Sequence, residues 1–163
     1  WLKKQNVALI KMHQKWSGLK SQIFYFFNAY GPGQISEGPY ATVLGIWESQ
    51  IKNEEAITVV EPGIQTRIFT RVEAIALSCT RWRQLPLNGE WALYSDDKVT
   101  LLQIVQKLRK KTKWLPERLG DRRRVPKINI PRPLNWEHPY KLEDWIGDLR
   151  RWTRPETKED FDI

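Results

Sequence analysis

Cysteine is almost absent from this 163-residue chain: Cys79 stands alone, so no internal disulfide can form and nothing points to an oxidising compartment. Histidine is nearly as scarce. His13 and His138 lie far apart and, with a single Cys, make no metal-ligand pattern. No apolar run approaches the roughly 18–20 residues that cross a bilayer. No Gly-x-x-Gly-x-x-Gly turn follows a strand-like segment, so the chain carries no recognisable dinucleotide motif. Low-complexity runs and internal repeats are missing too, which points to a globular core. The chain opens on Trp1 with no signal-like leader. That opening suggests a processed or truncated polypeptide, with the cytoplasm or an organelle interior as the expected compartment.

What is present is aromatic and basic. Nine Trp in 163 residues exceed what one small core needs, so a partner-covered surface is expected beside it. The net charge of +8 attracts phosphates, nucleic acid or an acidic partner. Its clusters are Arg109-Lys110-Lys111-Thr112-Lys113 and the stretch from Arg118 to Lys127. Neither interleaves aromatics as a single-strand binding surface does.

Periodicity gives an alternation of helices and short strands, an α/β or α+β-like class. Residues 3 to 17 read as a helix with Leu9, Met12 and Trp16 on one face, stopped by Gly18. Residues 20 to 27 read as a strand buried on both faces, broken by Gly31-Pro32-Gly33. A second helix is expected over 41 to 53, a strand over 58 to 60, a brief extended piece at 68 and 69, and a helix over 72 to 82 with Ile75, Ala76 and Cys79 inward. A strand over 90 to 94 follows. Thr100 with Gln103 makes a capping box for a helix through Leu108. Trp114 and Leu115 are extended, the prolines between 117 and 139 exclude a long helix, and a last helix spans 142 to 152. The domain is expected over 1–152, with a polar tail over 153–163.

Four motifs carry chemistry at suggestive distances: Phe27-Asn28-Ala29-Tyr30-Gly31-Pro32, Gly38-Pro39-Tyr40-Ala41-Thr42, Gln65-Thr66-Arg67, and Leu115-Pro116-Glu117-Arg118-Leu119-Gly120-Asp121-Arg122. Arg67 and Arg118 supply planar, permanently charged forks suited to two oxygens of a diphosphate at once. Together the motifs resemble the second half of an extended short-chain dehydrogenase/reductase, most closely a UDP-glucose 4-epimerase-like enzyme. The resemblance covers about residues 3 to 150. It implies a substrate-binding half that lacks most of the Rossmann cofactor half. It also implies that Asn28, Arg67, Arg118 and Asp121 contact a UDP-sugar or other nucleoside diphosphate, with Asp121 on a ribose hydroxyl, and that Pro32 lies near a nicotinamide. NAD is the implied cofactor, but this chain alone is not expected to bind it.

The resemblance breaks at catalysis. The family's proton-transferring Tyr stands four residues before a Lys, and the aligned Lys is Lys3, whose Tyr would precede Trp1. Tyr94 and Lys98 repeat that spacing, but in a turn, where the match is coincidence. Tyr25 stands where the family has an Arg, Arg71 where it has a His, Val7 where it has an acidic residue, and Leu119 where it has Pro. Two functions compete: a nucleotide-sugar-binding half of an epimerase-like protein, and a catalytically inactive, epimerase-derived assembly subunit. A nucleic-acid module built on the basic loops is a weaker third. A face left open by the missing half, around Leu2, Val7, Phe24, Tyr25 and Phe26, should be covered by another subunit or a second copy.

Overall fold

The computed structural model describes residues 1–118, 123–125, 127–134 and 136–151, all but the side chain of Trp82. Asp121 and the tail 153–163 therefore lie outside the described residues. The first helix, α1 (Leu2–Ser17), ends on Gly18, whose φ of 66° is the left-handed turn that closes a helix. It leads into β1 (Ile23–Phe26) and β2 (Ala29–Tyr30). Helix α2 (Val43–Lys52) starts at Thr42, whose hydroxyl accepts from the Gly45 N–H at 3.1 Å. Next come β3 (Ile57–Val60), β4 (Thr66–Ile68), β5 (Thr70–Arg71) and α3 (Val72–Thr80), then a 3-10 turn at Trp82–Gln84. The chain continues through β6 (Glu90–Leu93), β7 (Lys98–Thr100), α4 (Leu101–Leu108), β8 (Thr112–Leu115) and α5 (Leu142–Arg151).

The strands form four pairs rather than one broad sheet. Three are parallel: β1 with β6 from Ile23↔Glu90 to Phe26↔Leu93, β2 with β5, and β3 with β8 from Ile57↔Thr112 to Val60↔Leu115. Parallel partners need a crossover, and between β3 and β8 the chain passes through α3 and α4. The fourth pair, β4 with β7, is antiparallel.

The core lies between α2, β3, α4 and α5. Trp47, Leu44, Ile57, Val59, Ile104 and Leu108 are almost wholly buried there. Trp47 is anchored as well as packed, since its Nε1 donates to the Thr58 carbonyl at 2.7 Å. Leu142, Ile146 and Leu149 of α5 close the far side.

Several expectations are corrected. The first strand is short and not covered on both faces, because Phe24 and Tyr25 are half-buried and Phe26 stays 56% exposed. In α3 the inward residues are Ala74 and Ile75, while Ala76 and Cys79 face water. Leu9 and Trp16 of α1 share a face as expected, both are exposed, and no residue of that helix is buried. Strand β7 arises inside a segment that reads as a turn.

Candidate functional site

A cavity of about 440 Å³ opens where α2, β3, β4 and β8 converge. Asn28, Arg67 and Arg118 all line it, though they come from three separate segments. Its wall is apolar, with Trp47, Val59, Phe69 and Leu115 among the lining residues. Among the described lining residues the charged groups are the two arginines, and no carboxylate is present. An apolar cleft with a few convergent polar groups of one sign selects an anion attached to a less polar body.

Each site residue is placed by local backbone chemistry. Asn28 sits between β1 and β2 at φ 30°, a left-handed conformation that Asn tolerates better than most residues. Its Nδ2 donates to the Ile68 carbonyl at 2.8 Å, and its own carbonyl accepts from the Thr70 N–H at 3.2 Å. Asn28 thus bolts the β1–β2 junction to the β4–β5 junction at the cavity rim. Arg67 lies in β4 opposite Val99 of β7, and one of its guanidinium nitrogens donates to the Thr66 carbonyl at 3.0 Å. The preceding Gln65 is 1% exposed, and its Nε2 reaches the carbonyls of Val60 and Glu61 at 3.4 and 3.3 Å. Gln65 therefore ties the end of β3 to the start of β4. Arg118 follows β8 directly, and the Thr66 N–H donates to the Arg123 carbonyl at 3.0 Å. That bond ties Arg123 to the start of β4, and Arg118 lines the same cavity as Arg67.

The other sequence-derived positions fall elsewhere. Lys3 is exposed at the start of α1 and does not line the cavity. Pro32 is also exposed and off the cavity. The neighbouring Gly31 has φ 147°, and a Cβ there would stand 2.5 Å from the Val72 side chain. Its glycine admits the close approach of α3.

Positions that depart from the family pattern have internal employment. The Arg71 guanidinium forks onto Glu73 at 2.7 and 2.8 Å and lies over the Tyr30 and Tyr140 rings. That fork holds the Glu73 carboxyl below its ordinary range. The Tyr25 hydroxyl donates to Glu90 at 2.8 Å, and burial, with the Glu90 hydrogen bond and charge, pushes its pKa up to about 12. Neither residue lines the cavity. Sequence reading missed Trp47, Val59 and Phe69 as site walls. Their only signal is apolarity, which a core position shares.

The fold is similar to about half of several solved nucleotide-sugar epimerases and dehydratases. The chain is similar to the UDP-glucose 4-epimerase of Thermotoga maritima solved with UDP-glucose, at 18% identity and a TM-score of 0.78, over 92% of this chain and 51% of that one. It is similar to the UDP-N-acetylglucosamine 4-epimerase of Methanobrevibacter ruminantium at 24% identity and a TM-score of 0.74, over 92% and 51%. The dTDP-glucose 4,6-dehydratase DesIV of Streptomyces venezuelae, solved with NAD, aligns at 12% identity and a TM-score of 0.71, over 90% and 47%. At these identities the likeness is one of fold, and the chain spans about half the length of each of these structures. No protein-family model matches the sequence, and no curated protein matches it. No helix of the described residues is long and apolar enough to cross a membrane.

Proposed function

We propose that this chain is the nucleotide-sugar-binding portion of an epimerase-like protein and holds a UDP-sugar or related nucleoside diphosphate in the cavity between α2 and β8. The observation that carries this reading is the convergence of Asn28, Arg67 and Arg118 on one cavity free of carboxylates among its described lining residues. The two guanidinium groups are suited to the diphosphate, each offering paired donors to paired oxygens. The apolar wall takes the less polar body of the ligand. Asp121 is assigned the ribose hydroxyl on the motif alone. The reaction of the corresponding whole protein would be inversion at a sugar carbon through tightly bound NAD. Lys3 is the aligned position of the proton-transfer pair.

UDP should raise the melting temperature through binding to the folded state. Arg118→Ala should abolish that rise by removing a charge-assisted contact. An unchanged response in the variant would move the site elsewhere. NAD, by contrast, should give a flat calorimetric titration with this chain, since no glycine-rich turn offers backbone amides to its pyrophosphate. Micromolar binding would overturn that expectation.

The placement of Lys3, exposed and off the cavity, favours a second reading: a catalytically inactive, epimerase-derived subunit of a larger complex. Leu2 at 72% and Phe26 at 56% exposure support a protein partner on the α1 and β1 side, while Val7, Phe24 and Tyr25 are half-buried. Absence of any thermal response to UDP would favour this reading over the first. Cytosol or an organelle interior suits either one.

A further inference from the structure

We propose that Asn88 is a self-modification site, where the Gly89 backbone nitrogen displaces the Asn88 side-chain amide and leaves aspartyl and isoaspartyl products. This goes beyond the cavity and does not depend on what the cavity binds. Of the chain's asparagines, Asn6, Asn28, Asn53, Asn88, Asn129 and Asn135, Asn88 alone is followed by glycine. A glycine puts no side chain between its own nitrogen and the preceding carboxamide. The packing shows why glycine stands there. A Cβ at Gly89 would lie 2.5 Å from Trp91 Nε1, and that nitrogen is held by donating to the Gln22 side-chain oxygen at 2.8 Å.

The turn leaves both reacting nitrogens uncommitted. Asn88 is exposed, with a φ of 61° in the left-handed region that Asn tolerates. Its Oδ1 accepts from the Ser21 N–H at 3.2 Å, which draws electron density from Cγ and holds the carboxamide from outside the turn. Neither Asn88 Nδ2 nor the Gly89 N–H meets an acceptor among the described residues. The Gly89 carbonyl, by contrast, accepts from the Ile23 N–H at 3.0 Å. Other asparagines are less free to react. Asn28 spends its Nδ2 on the Ile68 carbonyl. Asn6 and Asn129 precede the β-branched Val7 and Ile130, whose side chains crowd the attacking nitrogen.

The step needs only water. Solvent base takes the Gly89 amide proton, and the nitrogen forms a bond to Asn88 Cγ. The Cγ–Nδ2 bond breaks as Nδ2 takes a proton from solvent and leaves as ammonia. Water then opens the five-membered imide. Attack at Cγ gives an aspartyl residue, and attack at the Asn88 backbone carbonyl carbon routes the chain through the former side chain. Nothing is oxidised or reduced. Both products carry a carboxylate where the carboxamide stood. The isoaspartyl form also adds a methylene to the backbone beside the Gly89–Ile23 hydrogen bond, where the β1–β6 pair begins.

The test ages the full folded chain in heavy-oxygen water at neutral pH and maps its tryptic peptides by mass spectrometry. The peptide from Gln84 to Lys98 contains Asn88 as its one asparagine. It should exchange its amide nitrogen for a solvent-derived oxygen and elute as two products, one identified as isoaspartyl by its fragmentation. Peptides carrying Asn6, Asn28, Asn53 and Asn129 should lag behind it. Asn88→Gln should lose the reaction, because its longer side chain must close a six-membered ring. Retention of the Asn88 amide in the folded chain overturns the proposal, and its loss in urea alone would show that the native turn protects it. So does a rate at Asn88 no higher than at Asn53, or a product without solvent oxygen.

Discussion

Single residues here are committed to placing backbone as much as to meeting a ligand. Asn28 lines the cavity yet spends its amide on the Ile68 carbonyl, so its identity is constrained even without a ligand. His138 is a comparable case among residues that do not line the cavity. The Arg71 N–H donates to its Nε2 at 2.9 Å, and its ring sits beside those of Trp136 and Tyr140. Burial depresses its pKa below the ordinary histidine value; Asp96 and Asp97 oppose that effect, and Arg132 adds to it. The acceptor role requires an unprotonated Nε2. The unfolded chain therefore binds a proton there more readily than the folded one does. The resulting stability is full above the unfolded value of about 6.5 and is lost as pH falls through the lower folded value. Thermal melts between pH 8 and 5 should show stability declining toward acid. His138→Gln, which keeps an acceptor but does not titrate, should flatten the slope in that window. An identical slope in the variant would assign the acid sensitivity to other groups.

Helix ends were the most legible elements, because caps are local chemistry. The Thr100 hydroxyl accepts from the Gln103 N–H at 3.1 Å, and the Gln103 side chain accepts from the Thr100 N–H at 2.8 Å. The capping box read from two letters is thus present in full. Thr100→Ala should cost about 1 kcal/mol in urea unfolding, the usual loss for an exposed cap. A loss below about 0.3 kcal/mol would mean that α4 is held by Ile104 and Leu108 alone. Strand pairing was much less legible. Ile23 meets Glu90 and Ile57 meets Thr112 across long stretches of chain, and nothing near either strand encodes its partner. In α3 Ile75 is inward as read, while Ala76 and Cys79 are not, because that helix is apolar on several sides. In α1 the sequence shows Leu9 and Trp16 on one face, and that pair is exposed. A 3.5-residue pattern says which face is apolar, not which molecule covers it. In a chain this basic, Arg67 and Arg118 stand out only through the motifs around them, and both line one cavity. Its apolar walls looked like core.

The whole molecule divides into a well-packed centre and a lightly attached flank. Trp47 and Ile57 are 0% exposed, and Val59, Ile104 and Leu108 are 1% exposed, all within one cluster joining α2, β3 and α4, closed by α5. Helix α1 has no buried residue, and its recorded polar ties to the rest include the Lys11–Glu90 ion pair and the Gln14–Ser21 hydrogen bond. An exposed ion pair of that kind contributes little, on the order of 0–1 kcal/mol. A helix of that length is marginal in water without tertiary packing. The two regions should therefore open independently, the flank by local fraying and the centre only with global unfolding. Native-state hydrogen exchange should show amides of Leu9 and Met12 exchanging at least about a hundredfold faster than those of Val59 and Ile104, since roughly 2.8 kcal/mol of stability separates rates by that factor. Mild denaturant should speed exchange in the centre and leave α1 nearly unchanged, because local fraying exposes little new surface. Protection of α1 equal to that of β3 would show that Val7 and Ile10 hold the helix as firmly as a core contact, and the division between centre and flank would fail.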